Sequence, residues 1–123
     1  MASVRYLVHD VDRAIKFYTR LGFTWRQQFG PAMAIVAYDD LTLWLAGPRA
    51  SASKPMPDGR LPGLGGWNRF VLQVADLPDL VATLCTQGVS FRNDIVDGPG
   101  GRQILCGDPS GNVVELFEPT SSG

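Results

Sequence analysis

Two stretches of the chain carry the same pattern of apolar and polar positions. In the first, Val11, Ala14, Ile15 and Tyr18 are apolar; in the second, Leu77, Leu80, Val81 and Leu84 are. Each set follows the i, i+3, i+4, i+7 spacing of one buried helix face. An Asp precedes each set (Asp10, Asp76) and a Gly follows each (Gly22, Gly88). An Asp carboxylate accepts the unpaired N–H groups of a first helical turn. Glycine turns the chain through positive φ just past the last turn. Pro78 falls in a first turn, where its missing N–H costs nothing. The pattern predicts two capped helices of about three turns, each preceded by a strand.

Val8-His9-Asp10 and Leu21-Gly22-Phe23 in the first half match Val74-Ala75-Asp76 and Gln87-Gly88-Val89 in the second, at a constant offset of 66. Strand-like runs follow each helix. They are Phe23–Phe29, Ala32–Tyr38 and Leu41–Ala46, then Val89–Val96, Arg102–Cys106 and Val113–Glu118. Asp39-Asp40, Gly98-Pro99-Gly100-Gly101 and Asp108-Pro109-Ser110-Gly111-Asn112 supply turn chemistry between them. The chain therefore reads as one domain of two β-α-β-β-β repeats. Residues 1–46 form the first, 47–66 a Gly-, Pro- and Ser-rich linker, 67–118 the second, and 119–123 a frayed tail.

Composition narrows the class. With 123 residues, 45% hydrophobic and 19% charged, the chain is sized and balanced for one soluble globular domain. A net charge of −1 gives no basic stripe for nucleic acid and no reason to expect a membrane-surface partner. No apolar run reaches the ~18 residues of a membrane span. Met1-Ala2-Ser3-Val4-Arg5 lacks a signal-peptide layout. Cys85 and Cys106 read as two reduced thiols, so the expectation is a cytoplasmic protein. Neither has a neighbouring His or a helix N-terminus to activate it. Gly100-Gly101-Arg102-Gln103 precedes a strand, not a helix, and reads as a hairpin turn instead of a phosphate loop.

The phrases Val8–Tyr18, Leu21-Gly22-Phe23 and Asp108–Leu116 resemble the vicinal oxygen chelate superfamily, the glyoxalase/bleomycin-resistance/dioxygenase group. The resemblance spans about residues 4–118. It implies an α+β, glyoxalase-like fold, two tandem βαβββ units forming a cup-shaped mixed sheet that holds a ligand, and a homodimer. It does not choose among isomerases, ring-cleaving dioxygenases, thiol transferases and drug-sequestering proteins.

Enzymes of that superfamily hold a divalent metal with four ligands, two per repeat. The resemblance places these at Ser3, Arg69, Glu115 and either Trp44 or Thr42. Serine is a poor ligand, an Arg cation repels a metal, and Trp and Thr supply no sensible donor. No cofactor is therefore expected. A divalent metal would need other ligands, with His9 and Glu115 the first to consider; the competing reading of His9 is an exposed or capping residue at a strand end.

Strand alternation places Ser3, Arg5, Leu7, Arg69, Val71, Gln73, Thr42, Trp44, Val113, Glu115 and Phe117 on the inward faces. From these, Arg5, Trp44, Arg69, Gln73, Glu115 and Phe117 are the candidate ligand-binding residues, an aromatic lining with a few orienting polar groups. Trp44 reads equally well as core, and Arg69 with Glu115 equally well as an ion pair. Phe17 and Tyr18 are expected to pack helix on sheet; Trp25 and Trp67 are expected at a pocket rim or dimer contact. The leading expectation is a metal-free binding protein for a small, aromatic organic molecule, of sequestration or antibiotic-resistance type. The alternative is an enzyme (isomerase, lyase or dioxygenase) using Glu115 as general base or metal ligand, with Arg69 stabilising an oxyanion in the metal-free case. A third is a dimeric scaffold or regulatory protein that binds a metabolite only to signal.

Overall fold

The computed structural model describes residues 3–120; residues 1, 2 and 121–123, which include most of the expected tail, lie outside them. The chain divides into two compact units. The first comprises residues up to Gly65 together with Pro109–Asn112; the second comprises Gly66–Asp108 and the chain from Val113 onward.

In the first unit, β1 (Ser3–Leu7) leads into α1 (Val11–Arg20), followed by β2 (Thr24–Phe29), β3 (Met33–Tyr38) and β4 (Leu41–Ala46). The sheet order is β1-β4-β3-β2, with β1 parallel to β4 and the other pairs antiparallel. Helix α1 starts where the Asp10 carboxylate accepts the Arg13 N–H at 3.2 Å. It stops where Gly22 takes φ 106° and two N–H groups fold back, Gly22 to Thr19 and Phe23 to Tyr18. Its apolar stripe buries Val11, Ala14, Phe17 and Tyr18. Beneath it lie the buried Ala34 and Val36 of β3 and Leu43 and Leu45 of β4. Tyr18 is fully buried and meets the rings of Phe17 and Phe23 edge-on, at 4.9 and 5.3 Å between centroids. Phe17 and Tyr18 thus join helix to sheet, as their spacing predicts.

Strand alternation turns the intervening residues Ile35, Thr42 and Trp44 to the opposite, open face of this sheet. The Pro109–Asn112 turn secures the edge of the unit. Buried Asn112 donates from Nδ2 to the Leu7 carbonyl at 2.8 Å and accepts the Gly65 N–H at 3.1 Å. The Ser110 hydroxyl accepts the His9 main-chain N–H at 2.8 Å. A single 3-10 turn, Ser51–Ser53, interrupts the segment before Gly65.

The second unit repeats the plan with β5 (Arg69–Gln73), α2 (Leu77–Thr86), β6 (Ser90–Phe91), β7 (Val96–Gly98), β8 (Gly101–Gly107) and β9 (Val113–Pro119). The order is β5-β9-β8-β6, with β7 also paired to β8. Asp76 caps α2 by accepting the Asp79 N–H at 3.2 Å, and Gly88 closes it at φ 85°. The single strand expected over Val89–Val96 is corrected: it is two short strands, β6 and β7. Asn93 explains the break. Its side-chain oxygen accepts the Leu105 N–H at 2.9 Å, replacing a main-chain partner in the ladder. The backbone beyond Arg92 is thereby released from β8 until Val96 re-pairs with Gln103. Glu118 of β9 ties the second helix to its sheet. It accepts the Leu77 N–H at 2.7 Å and the Arg102 guanidinium at 2.8 Å.

Candidate functional site

Each sheet packs one face under a helix, and the expected ligand-binding residues fall on the opposite, more open face, where Arg5, Arg69 and Gln73 are exposed, Trp44 and Phe117 half-buried and Glu115 buried. In the first unit, cross-strand register sets Arg5, Trp44, Ile35 and Gln27 in one row across all four strands. The Arg5 guanidinium carbon lies 4.9 Å from the Trp44 ring centre, a cation–π stack. Trp44 is half-buried, flanked in sequence by the fully buried Leu43 and Leu45 on the helix side. It is therefore a wall of the open face, not a core residue. On one side of this row the Ser3 and Thr42 hydroxyls are hydrogen-bonded to each other. On the other, Leu7, Ala46, Met33 and Phe29 form a parallel apolar row, with Phe29 half exposed.

In the second unit, Arg69 Nε donates to Glu115 Oε1 at 2.9 Å. The Glu115 side chain is only 9% exposed and that of Arg69 32%, so the carboxylate is sheltered and the cation reaches solvent. The ion-pair reading of these residues holds. Further along this face, Gln73, Phe117, Gln103 and Val96 share a row. A cavity of about 240 Å³ opens there, lined by Val96, the Gly98–Gly101 turn, Gln103 and Phe117. Gln73 neighbours Phe117 but is not part of the cavity wall. Val96 and Gln103 were not expected from the sequence. Their signal lies in the two-residue hairpin loop between Gly98 and Gly101, whose register sets them opposite each other.

Register also decides between Trp44 and Thr42. Trp44 stands opposite Arg5, and Glu115 stands opposite Val71, the counterpart of Arg5 at the offset of 66. Trp44 is thus the first-unit counterpart of Glu115, and Ser3 that of Arg69. This set does not fit a divalent metal. An indole offers no donor lone pair, and a guanidinium carries the wrong charge on the one carboxylate present. Among the described residues no three His, Cys, Asp or Glu side chains are grouped for metal binding.

His9 is exposed at the end of β1. It lines a cavity of about 350 Å³ with Asp10, Asp12 and Arg49, and a second of about 240 Å³ with Leu61 and Leu64. Cys85 is exposed on α2, whereas Cys106 is buried in β8. Burial, reinforced by the Asp108 carboxylate, pushes the Cys106 thiol up to about 12, so it stays protonated. Trp25 sits half exposed on β2, its indole N–H directed to Gln28 Oε1 at 3.4 Å. Trp67 is 69% exposed, with the Arg92 guanidinium 5.1 Å from its ring centre.

Residues 1–116 match the family model of the Glyoxalase/Bleomycin resistance protein/Dioxygenase superfamily. The chain belongs to that superfamily. Solved structures share its fold. A superfamily member from Sphaerobacter thermophilus is 28% identical, with 96% of this chain and 95% of that one covered and a TM-score of 0.72. TnmS3, an antibiotic binding protein from Streptomyces sp. CB03234, is 27% identical over 98% of this chain and 97% of its own, with a TM-score of 0.68. A lactoylglutathione lyase from Agrobacterium tumefaciens is 19% identical over 96% and 92%, at a TM-score of 0.75, a likeness of fold alone. No curated protein matches the sequence. No helix among the described residues is long and apolar enough to cross a membrane.

Proposed function

We propose that this superfamily member is a metal-free binding protein for a small aromatic organic molecule, acting by sequestration, as a cytoplasmic homodimer. The observation that carries the reading is what stands at the positions the superfamily's enzymes use for metal. Glu115 is engaged by the Arg69 guanidinium at 2.9 Å, and Trp44 lies under Arg5. Those positions offer a stacking surface and hydrogen-bond donors instead of a Lewis acid. The similarity to an antibiotic binding protein over nearly the whole length of both chains points the same way.

The test has two parts. Tag-free protein is assayed for metal per mole of chain, then screened by thermal shift against planar aromatic natural products. Substoichiometric metal and a raised melting temperature with at least one compound are expected, because a ligand of the folded state stabilises it. Trp44→Ala and Arg69→Ala should each weaken that binding; unchanged affinity in both variants removes the site assignment. About one divalent ion per chain would overturn the metal-free reading. A turnover reading has its own anchor in the sheltered Glu115 carboxylate beside a guanidinium, a general base next to an oxyanion stabiliser. Multiple turnovers abolished by Glu115→Gln would replace binding with catalysis. Sedimentation at micromolar concentration tests the dimer.

A further inference from the structure

The two arginines expected to meet a ligand differ in what already occupies them. Arg69 is neutralised by Glu115. The Arg5 guanidinium has no ion pair and no hydrogen-bond partner among the described residues. Its guanidinium carbon lies over the Trp44 ring, 4.9 Å from the ring centre. A guanidinium held over a ring, with no other partner, has N–H donors that match the two oxygens of a carboxylate or the oxygen of a phenolate.

The surroundings supply the rest of a planar anion's complement. Trp44 and Ile35 continue the row, and Met33 and Phe29 flank it, giving apolar surface for a ring system. The hydrogen-bonded Ser3 and Thr42 hydroxyls and Gln27 offer neutral polar contacts. No carboxylate of these rows opposes a negative ligand: Arg5 and its register partners Trp44, Ile35 and Gln27 bring one cation and no anion.

Resting on the binding reading above, we infer that the open face of the first unit selects planar aromatic anions, carboxylates or phenolates, through Arg5 stacked on Trp44. Arg5 is the charge-selecting residue and Trp44 its platform. Arg69, already committed to Glu115, does not set the charge preference.

A matched pair of probes isolates the charge: anthracene-9-carboxylate and the uncharged anthracene-9-carboxamide, titrated calorimetrically into the full chain. The wild type should bind the carboxylate at least about tenfold more tightly than the amide. Arg5→Gln should bring the two affinities together by weakening the carboxylate alone, and Arg5→Lys should restore part of the difference. Arg20→Gln, on the exposed end of α1, should leave the ratio unchanged. Circular dichroism of each variant confirms folding, which the exposed position of Arg5 permits. Equal affinities in the wild type overturn the anion selectivity and leave aromatic binding standing. A ratio that survives Arg5→Gln but falls in Arg69→Gln overturns the assignment to Arg5. Failure of both probes overturns the inference; with an empty thermal-shift panel it overturns the binding reading as well.

Discussion

The two repeats were laid down on one plan and differ chiefly on one side. On the helix-facing side they agree closely: an Asp cap, an apolar stripe, and a glycine with the same pair of folded-back N–H groups. Tyr18 and Leu84 hold the same place, both fully buried. On the open side they disagree at nearly every counterpart, Ser3 against Arg69, Arg5 against Val71 and Trp44 against Glu115. Dense packing keeps the buried positions largely apolar, even where their sizes differ. An open face carries no such restraint, so chemistry diverges there. The first unit holds a cation over an indole with no ion pair among the described residues, the second a sheltered ion pair.

The largest test of this contrast lies in the hairpins. A Cβ at Gly101 would sit 2.2 Å from the Glu118 carbonyl oxygen and 2.9 Å from Pro119 Cα, both backbone atoms that cannot step aside. Gly101→Ala should lower stability by about 4 kcal/mol or prevent folding, the range reserved for severe clashes. The first unit's hairpin glycine, Gly30 at φ 55°, has nothing within 4 Å of its would-be Cβ. Gly30→Ala should cost only the backbone strain, about 1 kcal/mol. Urea melts of the two variants that came out alike would break the comparison.

Next are the helix anchors. Tyr18→Ala should cost about 4 kcal/mol and Leu84→Ala about 3 kcal/mol, from the lost burial and the cavity left behind. The edge-on rings of Phe17 and Phe23 exist around Tyr18 and not around Leu84, which places the larger loss in the first unit. The caps should be equal: Asp10→Ala and Asp76→Ala about 1 kcal/mol each.

Acid should act on the second unit through Glu118. The Leu77 N–H first, then the Arg102 guanidinium, hold this carboxylate below its ordinary value of 4.5. A depressed folded pKa means that the contribution is fully present above the ordinary value and is lost as pH falls through the lower, folded value. Gly47, the counterpart of Glu118 at the end of the first sheet, has no carboxyl to titrate. The acid side of a melting-temperature profile should flatten in Glu118→Gln; an unchanged profile would remove this residue from the pH response. The smallest effect is chemical. A thiol reagent should modify exposed Cys85 in the folded protein and reach buried, protonated Cys106 only on unfolding.

Much of this architecture was legible in the sequence because its signals are local. Helix periodicity, Asp caps, Gly stops and turn dipeptides act within a few residues, so the two helices and five of the six expected post-helix strands fall where the pattern places them. The sixth failed for a reason no period carries: Asn93 reaches a strand twelve residues away and displaces the main chain from the ladder. The inward residues were legible by alternation, but their partners were not. Whether Arg69 met Glu115 or a ligand, and whether Trp44 was core or wall, were even choices on sequence alone.

The repeat, the superfamily and the loss of a fitting metal-ligand set are thus properties of the amino-acid order itself, since each depends on residue identity at fixed spacing. Strand register is a tertiary quantity, because hydrogen bonds join segments whose separation along the chain varies. Register made Trp44 the counterpart of Glu115 and brought Arg69 within 2.9 Å of that carboxylate. It left Arg5 over an indole and Arg69 on a carboxylate, and that difference in partners, not in residue type, distinguishes the two arginines.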